Sequence, residues 1–342
     1  MFMREINGIT YEKLEEYMLS IGEKKYRAEQ IFRWLGLGVS SFDEMTNLKK
    51  EFITELEKEF YFNNVIIEKT QVSSDERTKK FLLRLKDGNT VEAVAMHYKY
   101  GYSLCISTQV GCKMQCKFCA TGGCGYVRDL TTAEMVSQVV EISKTLPERV
   151  SHIVLMGMGE PLDNFENVFN FLKIISHKWH KNISYRALSL STCGIISEIE
   201  RLMKEDLPIT LSISLHASTQ EEREQIMPIA KKNNINDLIN MCRKYAKETG
   251  RRVYYEYLLL EGINDSLDDA NRLSDLIRGS NSAVNIINYN EVKGVKYKKS
   301  KKAKTFWQQL KKRGITAHTR RELGSDIDAA CGQLRGNSTN SL

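Results

Sequence analysis

The feature that most constrains this chain is a regular alternation of apolar, β-branched runs with amphipathic segments, which starts near residue 103. Candidate strands lie at residues 104–110, 152–156, 187–191, 209–216, 253–260 and 284–289, with 315–318 as an extra strand. Segments with helical spacing lie between them, at 132–144, 165–176, 196–203, 238–248, 267–277 and 305–313. Consecutive parallel strands joined by helices need right-handed crossovers, so the pattern predicts an α/β fold with a partial or full (β/α)6 barrel.

Two regions in which apolar residues are spaced differently precede this core. Apolar residues recur at helical spacing in residues 10–18, 25–35 and 42–60. The period then shortens to two, with Lys86–Asn89 as a turn, which predicts a small antiparallel sheet. We expect an N-terminal helical accessory domain at 1–62, a β extension at 63–100, the barrel core at 101–335 and a disordered polar tail at 336–342.

Composition places the chain among folded globular proteins. It has 342 residues, 42% of them hydrophobic and 27% charged, with only four prolines, which excludes disordered and fibrous classes. No run approaches the roughly 18 apolar residues of a membrane span, and residues 1–5 do not resemble the start of a signal peptide. We expect a cytoplasmic, monomeric protein with no membrane partner.

The positive charge of the chain is local. The net charge is +7, but the segment 293–321 carries twelve Lys and Arg and no acid, so the rest of the chain has a net charge of −5. Such a run is usually a solvated helix face, and contact with nucleic acid is the main alternative. Tyr297 and Trp307 interleave with these charges, although both residue types also pack inside proteins.

Four of the eight cysteines fall between residues 112 and 124, which favours a metal site over disulfides. Cys112, Cys116 and Cys119 form a Cys-x3-Cys-x2-Cys pattern after the first core strand. Three thiolates at this spacing can bind three irons of a [4Fe-4S] cluster and leave the fourth iron open, whereas structural zinc normally takes four ligands. The spacing favours a cluster, and zinc completed by Cys105 or Cys124 is the alternative.

The segment Cys112–Cys119 resembles the signature of the radical S-adenosylmethionine (SAM) superfamily. The resemblance implies that its three cysteines bind a [4Fe-4S] cluster, whose open iron chelates SAM. The segment Gly157–Pro161 resembles the superfamily's glycine-containing loop, which assigns SAM binding to Gly159 and Glu160. Small residues allow close backbone approach there, and a carboxylate can accept from the SAM ammonium.

Segments from residue 25 to 335 support a narrower resemblance. Residues 26–32, 105–112, 214–217, 227–229 and 324–334 are similar to the RlmN family of 23S rRNA adenine C-2 methyltransferases and to the Cfr family. The resemblance implies methylation of C-2 of adenosine 2503 in 23S rRNA, with adenosine 37 of some tRNAs as a second target. C-8 methylation of the same rRNA adenosine, the antibiotic-resistance reaction of the Cfr family, stays the alternative.

The family resemblance implies three catalytic residues. Adenine C-2 is electron-poor and has no acidic proton, so ordinary methyl transfer from SAM fails. The family uses two SAM molecules per turnover, one to methylate Cys331 and one to form a 5′-deoxyadenosyl radical that activates this methyl group. Cys105 then forms a disulfide with Cys331 and releases the product, while Glu92 removes the ring proton.

The same resemblance assigns further SAM contacts to residues at strand ends. These are Ser191, Ser214, Leu215, His216 and Asn290. It also implies an external electron donor such as flavodoxin or ferredoxin, an RNA-binding role for the accessory domain, and phosphate contacts from 293–321 near Cys331. Cys124, Cys193 and Cys242 match no catalytic position, and we expect them to pack.

Other functions stay open at this point. Without the resemblance, Cys331 would be a buried hydrophobic residue, Glu92 a solvated carboxylate, and Cys105, at the start of a strand, a packing residue. A different radical SAM enzyme that only abstracts hydrogen would not need Cys331. A zinc-stabilised RNA-binding protein would use the cysteines structurally and would be colourless.

Overall fold

A computed structural model describes residues 3–336 of the chain. Except for Gly336, the predicted disordered tail lies outside the described residues. Within the part that is described, no helix has both the length and the apolar character needed to cross a membrane.

The N-terminal region is helical, as predicted. Its elements are β1 (Arg4–Glu5), α1 (Tyr11–Ser20), α2 (Tyr26–Leu37), α3 (Lys50–Glu59) and β2 (Phe60–Tyr61). The two short strands pair in parallel and join the ends of the region. The helical pattern predicted for 42–60 is interrupted, because Ser41 and Glu44 form a capping box around a single 3-10 turn before α3 begins.

The extension contains the predicted antiparallel strands. They are β3 (Ile66–Val72), β4 (Thr78–Arg84) and β5 (Thr90–Tyr98). The turn between β4 and β5 forms because Asp87 accepts from the Asn89 backbone N–H at 3.0 Å and Gly88 adopts a φ of 88°. β5 then pairs antiparallel with the first core strand, so the extension continues the main sheet.

The core alternates strands and helices in the predicted order. Its elements are β6 (Gly101–Cys105), β7 (Gln109–Gly111), α4 (Ala120–Gly123), β8 (Tyr126–Asp129), α5 (Thr132–Lys144), β9 (Val150–Leu155), α6 (Phe165–Ser176), β10 (Leu188–Thr192), α7 (Ile196–Lys204), β11 (Thr210–Ser214), α8 (Gln220–Ile226), α9 (Ile235–Thr249), β12 (Val253–Leu259), α10 (Leu267–Ile277), β13 (Ser282–Asn288), α11 (Ala303–Lys312) and β14 (Ala317–Thr319).

Ten of the described strands form one sheet in the order β14-β13-β12-β11-β10-β9-β6-β5-β4-β3. From β6 to β14 the neighbouring pairs are parallel, and from β6 to β3 they are antiparallel. The edge strands β14 and β3 do not pair with each other among these strands, so the barrel is partial. The carboxyl ends of the parallel strands therefore share one edge, where βα loops place functional groups.

One predicted strand is wrong in its boundaries. Residues 104–110 form two strands, since β6 ends at Cys105 and β7 leaves the main sheet to pair with β8. Cys105 therefore lies at the end of a strand and not at its start. This places it at the carboxyl edge of the parallel sheet.

Candidate active site

The carboxyl edge opens into a cavity of about 460 Å³ inside the partial barrel. Most residues predicted from the sequence lie in its wall. These are Cys105, Cys112, Cys116, Cys119, Gly159, Glu160, Ser191, Ser214, His216, Asn290 and Cys331. Glu92 and Leu215 do not line it.

The cysteine loop is held in shape mainly by backbone hydrogen bonds. The Cys112 N–H donates to the Gly125 carbonyl at 2.8 Å, and the Cys119 N–H donates to the Cys116 carbonyl at 3.1 Å. Gln115 reverses the chain between them with a φ of 53°, in the left-handed region. These bonds bring three thiols to one side of the cavity from only eight residues.

The donor set of this loop consists of three thiols. Burial raises the pKa of the Cys112 thiol to about 12, and burial followed by the charge of Cys119 raises the pKa of Cys116 well above its ordinary value. Among residues 3–336, no group of three or more His, Cys, Asp or Glu side chains is arranged to hold one metal ion. Three cysteine thiols on one loop can each bind a different iron of a cubane and leave the fourth iron open, so the loop fits a [4Fe-4S] group.

The loop after β9 requires glycine. A Cβ on Gly159, whose φ is 105°, would lie 2.7 Å from the Gln109 backbone nitrogen, and a Cβ on Gly157 would lie 2.5 Å from the Ile106 carbonyl oxygen. The Glu160 side chain accepts from the Cys193 N–H at 2.7 Å and from the Leu162 N–H at 3.0 Å. Burial raises the pKa of Glu160, and these N–H donors oppose the shift.

Polar groups at the ends of β10, β11 and β13 complete this wall. The hydroxyl groups of Ser191 and Ser214 lie 3.5 Å apart, and Asn290 follows β13. His216 has a φ of 56°, and its Nδ1 accepts from the Leu258 N–H at 3.1 Å. Burial lowers the pKa of His216 to about 3, so the ring is neutral with its proton on Nε2, a donor suited to a nucleoside.

Leu215 points into the protein core and is fully buried. Its N–H donates to the Glu256 carbonyl at 3.1 Å, and its carbonyl accepts from Nε of the buried Arg223 at 3.3 Å. A second guanidinium nitrogen of Arg223 donates to the Cys193 carbonyl at 2.5 Å. This arginine joins the loops after β10 and β11 from beneath the cavity, a role that no sequence pattern indicated.

Cys105 and Cys331 come from opposite ends of the core and lie in the same cavity wall. Cys105 is buried, and burial followed by the charge of Cys331 raises its pKa to about 12. Cys331 is exposed on the segment after β14. Both interact electrostatically with Arg320, whose Nη1 lies 3.7 Å from Sγ of Cys331.

The segment that carries Cys331 is bound to the cysteine loop. The Ala120 N–H donates to the Gly332 carbonyl at 2.7 Å, and the Thr121 hydroxyl donates to the Leu334 carbonyl at 2.6 Å. These bonds join residues more than 200 positions apart. They place Cys331 beside the loop of the three clustered cysteines.

Glu92 lies next to this segment and outside the cavity wall. Its Oε2 accepts from the Arg335 N–H at 2.7 Å and from the Gly336 N–H at 3.4 Å. Its Oε1 lies 3.3 Å from Nζ of Lys80, which also donates to the Asp328 carbonyl at 3.4 Å. The carboxylate therefore holds the chain on the C-terminal side of Cys331 and is not free in this conformation.

Arg320 is the functional candidate that sequence reasoning missed, although it lies in the basic segment 293–321. Its Nη1 lies 3.6 Å from Oε2 of Glu256, which is 2% exposed, and its Nη2 donates to Sδ of Met156 at 3.4 Å. Burial opposes the charge, yet the charge of Glu256 and then the two thiols raise the pKa of Arg320. The sequence feature that could have indicated Arg320 is the concentration of positive charge in this segment.

The remaining cysteines divide into two groups. Cys193 and Cys242 are buried, as expected, although Cys193 also lines the cavity. Cys124 is exposed, so the packing assignment is wrong for it, because the turn after α4 faces outward.

Comparisons with known proteins match both the N-terminal region and the core. The radical SAM superfamily matches residues 106–273, and the ribosomal RNA large subunit methyltransferase N-terminal domain matches residues 4–61. The probable dual-specificity RNA methyltransferases RlmN of Clostridium perfringens and Alkaliphilus oremlandii are each 46% identical over 336 and 333 residues, with 97% of both chains covered. The crystal structure of a radical SAM methyltransferase from Sphaerobacter thermophilus matches with a TM-score of 0.92 and 37% identity, covering 98% of this chain and 100% of that chain.

Proposed function

The chain belongs to the RlmN family of radical SAM RNA methyltransferases, and we propose that it methylates C-2 of adenosine 2503 in 23S rRNA and of adenosine 37 in tRNA. The observation that supports this reaction is the shared wall of Cys105, Cys331 and the three clustered cysteines. A radical SAM enzyme that only abstracts hydrogen has no use for the first two thiols.

Cys112, Cys116 and Cys119 would hold a [4Fe-4S] cluster, and the wall around Glu160, Ser191 and Asn290 would hold SAM. When bound, these groups supply methyl groups and a 5′-deoxyadenosyl radical, with two SAM molecules used per turnover. An external electron donor such as flavodoxin or ferredoxin supplies the electron.

The protein's own groups then act in sequence. Cys331 carries the methyl carbon toward the adenine, and Arg320 orients its sulfur. Glu92 takes the ring proton after the Gly336 side of the segment releases its carboxylate. Before release, the carried carbon would have lost one hydrogen atom to the 5′-deoxyadenosyl radical, bonded to adenine C-2 and given one electron back to the bound cluster. The Cys105 sulfur then attacks Cys331, an S–S bond forms, and the bond from Cys331 to that carbon breaks with its electrons staying on carbon. The proton released by Cys105 completes the methyl group, and an external reductant restores the two thiols.

We assign RNA binding to the accessory domain at 1–62 and to the basic segment 293–321. The match of residues 4–61 to the N-terminal domain of an rRNA methyltransferase supports the first assignment. The second rests on charge alone. Several of its cations already pair with acids, for example Lys299 with Glu322 and Lys302 with Asp265.

The test is product analysis. The protein, purified without oxygen and loaded with iron and sulfide, is incubated with SAM, a reductant and rRNA from a strain that lacks the modification. Mass spectrometry of digested nucleosides should show 2-methyladenosine. 8-Methyladenosine would move the chain to the C-8 reaction, and absence of both in rRNA and tRNA would refute the proposed substrate.

A further inference from the structure

The cavity has a second end that the proposed reaction does not use. Its wall from β5, β6 and β9 presents every second side chain to the interior, as the pleat of a sheet requires. The cavity-facing side chains are Val94, Met96 and Tyr98 on β5, Ser103 and Cys105 on β6, and His152 and Val154 on β9, with Met156 directly after β9. The wall thus runs from sulfur-bearing residues at the carboxyl end of β6 to aromatic residues at its amino end.

The aromatic end is formed by Tyr98, Tyr100 and His152, which we call the aromatic rim. The rings of Tyr98 and Tyr100 stack with centroids 5.1 Å apart and planes inclined by 10°. The Tyr100 ring also contacts His152 at 4.5 Å between centroids. Tyr100 is 49% exposed, so the rim faces both the cavity and solvent.

Strand register measures the distance from the rim to Cys105, which lines the same cavity as Cys331. Tyr98 pairs with Gly101, and Val94 pairs with Cys105, so four residues of β6 separate the two levels. At about 3.3 Å per residue the separation is roughly 13 Å. An adenine that reaches Cys331 therefore cannot occupy the rim at the same time, and a group on the rim belongs to a neighbouring nucleotide.

Three exposed cations are close in the chain to residues at this end of the cavity. Lys99 lies in the turn between the two tyrosines, Arg149 immediately precedes β9, and Arg186 lies next to the cavity residue Ala187; all three are exposed. The Arg149 carbonyl accepts from the Tyr102 N–H at 3.0 Å, which fixes its backbone against β6. Exposed cations beside aromatic rings match a nucleic-acid strand, with phosphates on the cations and bases on the rings.

We propose that the aromatic rim binds an unpaired nucleobase of the RNA substrate that neighbours the adenosine undergoing methylation. The site rests on the proposed function, because it assumes that the substrate is RNA with a displaced adenosine. Single-stranded bases are commonly bound by stacking on Tyr and His rings. Burial lowers the pKa of His152, which keeps its ring uncharged at neutral pH. The aromatics of the basic segment offer no such surface, since Tyr297 is buried and Trp307 donates to the Ala317 carbonyl at 2.9 Å.

The test compares Tyr100→Leu, which removes the ring but keeps apolar volume, with Tyr100→Phe, which keeps the ring. Both holoenzymes are first checked for equal iron content and thermal stability. Binding is measured with an rRNA hairpin that carries 2-aminopurine next to the target adenosine, and turnover is measured with the unlabelled hairpin. We expect Tyr100→Leu to raise Kd and KM about tenfold and to reduce quenching of 2-aminopurine, while Tyr100→Phe behaves as wild type.

Two outcomes would overturn the site. Unchanged Kd and quenching in Tyr100→Leu would show that no base stacks on the rim. Equal losses in both variants would show that the hydroxyl, and not the ring, makes the contact. Failure of the proposed function is distinguishable, because the wild-type enzyme would then form no 2-methyladenosine in RNA. Base quenching that depends on the ring would still support the site in that case.

Discussion

Cys105 and Cys331 are the same residue type in one cavity wall, yet their surroundings differ. Cys105 ends β6, is 8% exposed and has a pKa raised to about 12 by burial. Cys331 is exposed on a segment without regular structure, with Arg320 3.7 Å from its sulfur. A thiol fixed in a sheet suits a single late attack, whereas a thiol on a loop can move between a methyl donor and an RNA base.

The difference also lies in what holds each residue. The backbone of Cys105 is held by sheet pairing with Val94 and Val154. The Cys331 segment is held by hydrogen bonds in both directions. The Ala120 N–H and the Thr121 hydroxyl donate to its carbonyls, and the Glu92 carboxylate accepts from the Arg335 and Gly336 N–H groups. Moving Cys105 would require breaking the pairing of β6 with its neighbouring strands. Each hydrogen bond that holds the Cys331 segment is worth only about 1 kcal/mol and can be exchanged during turnover.

Replacing the exposed thiol, Cys331, should have the largest effect. In Cys331→Ala we expect the iron content to be normal and methylated adenosine to fall to background, because no sulfur is present to carry the methyl carbon to the adenine. Nucleoside mass spectrometry measures this, with Cys124→Ala, which replaces another exposed cysteine, as the matched control. Product formation near the wild-type level in Cys331→Ala would refute the carrier role.

Replacing the fixed thiol should stop the reaction one step later. We expect Cys105→Ala to accumulate a covalent protein–RNA adduct through Cys331, since no second sulfur is available to release it. Denaturing electrophoresis with labelled RNA detects the adduct, and the buried Cys242→Ala is the control. If Cys105→Ala forms free methylated RNA without an adduct, Cys105 is not the resolving residue.

The two thiols should also differ in alkylation by iodoacetamide before the cluster is loaded. With the pKa of Cys105 raised from 9.0 to about 12, its thiolate fraction at pH 8 is about a thousandfold below that of an ordinary cysteine. Because the folded protein favours the neutral thiol, Cys105 adds to the free energy of unfolding. This contribution is complete below pH 9 and is lost as the pH rises toward 12. Peptide mass spectrometry should show Cys331 labelled at pH 8 and Cys105 labelled only as the pH rises from 9 toward 12. Rapid labelling of Cys105 at pH 8 in the folded protein would contradict its burial.

The smallest effect should come from the residue that links the two thiols. In Arg320→Met we expect single-turnover methylation of Cys331 to slow about tenfold, because a charge-assisted contact to sulfur is lost. Arg320→Lys keeps the positive charge but lacks the guanidinium nitrogens that contact Glu256 and Met156, so it should recover part of the rate. Equal rates in all three proteins would show that Arg320 only balances Glu256.

Local patterns predicted much of the fold. The bounds of α5, α6 and α10 agree with the spacing of apolar residues, and α5 and α10 begin at capping boxes that involve Glu134 and Asp269. The end of β6 was misplaced, because an apolar run does not show where a strand leaves its sheet. The C-terminal segment was assigned from motif resemblance, and its attachment to the extension had no local signal.

By itself, the sequence determined the strand–helix order, the turns and the three-cysteine loop, because these depend on residues within a few positions of one another. Only the tertiary structure decided that Cys105 and Cys331 line one cavity, that Glu256 holds Arg320 and that Glu92 binds the segment at Arg335. The partners in these contacts are separated by 64 to 243 positions, and periodicity carries no information over such distances. They form because the open sheet brings the end of the chain against β5 and the cysteine loop.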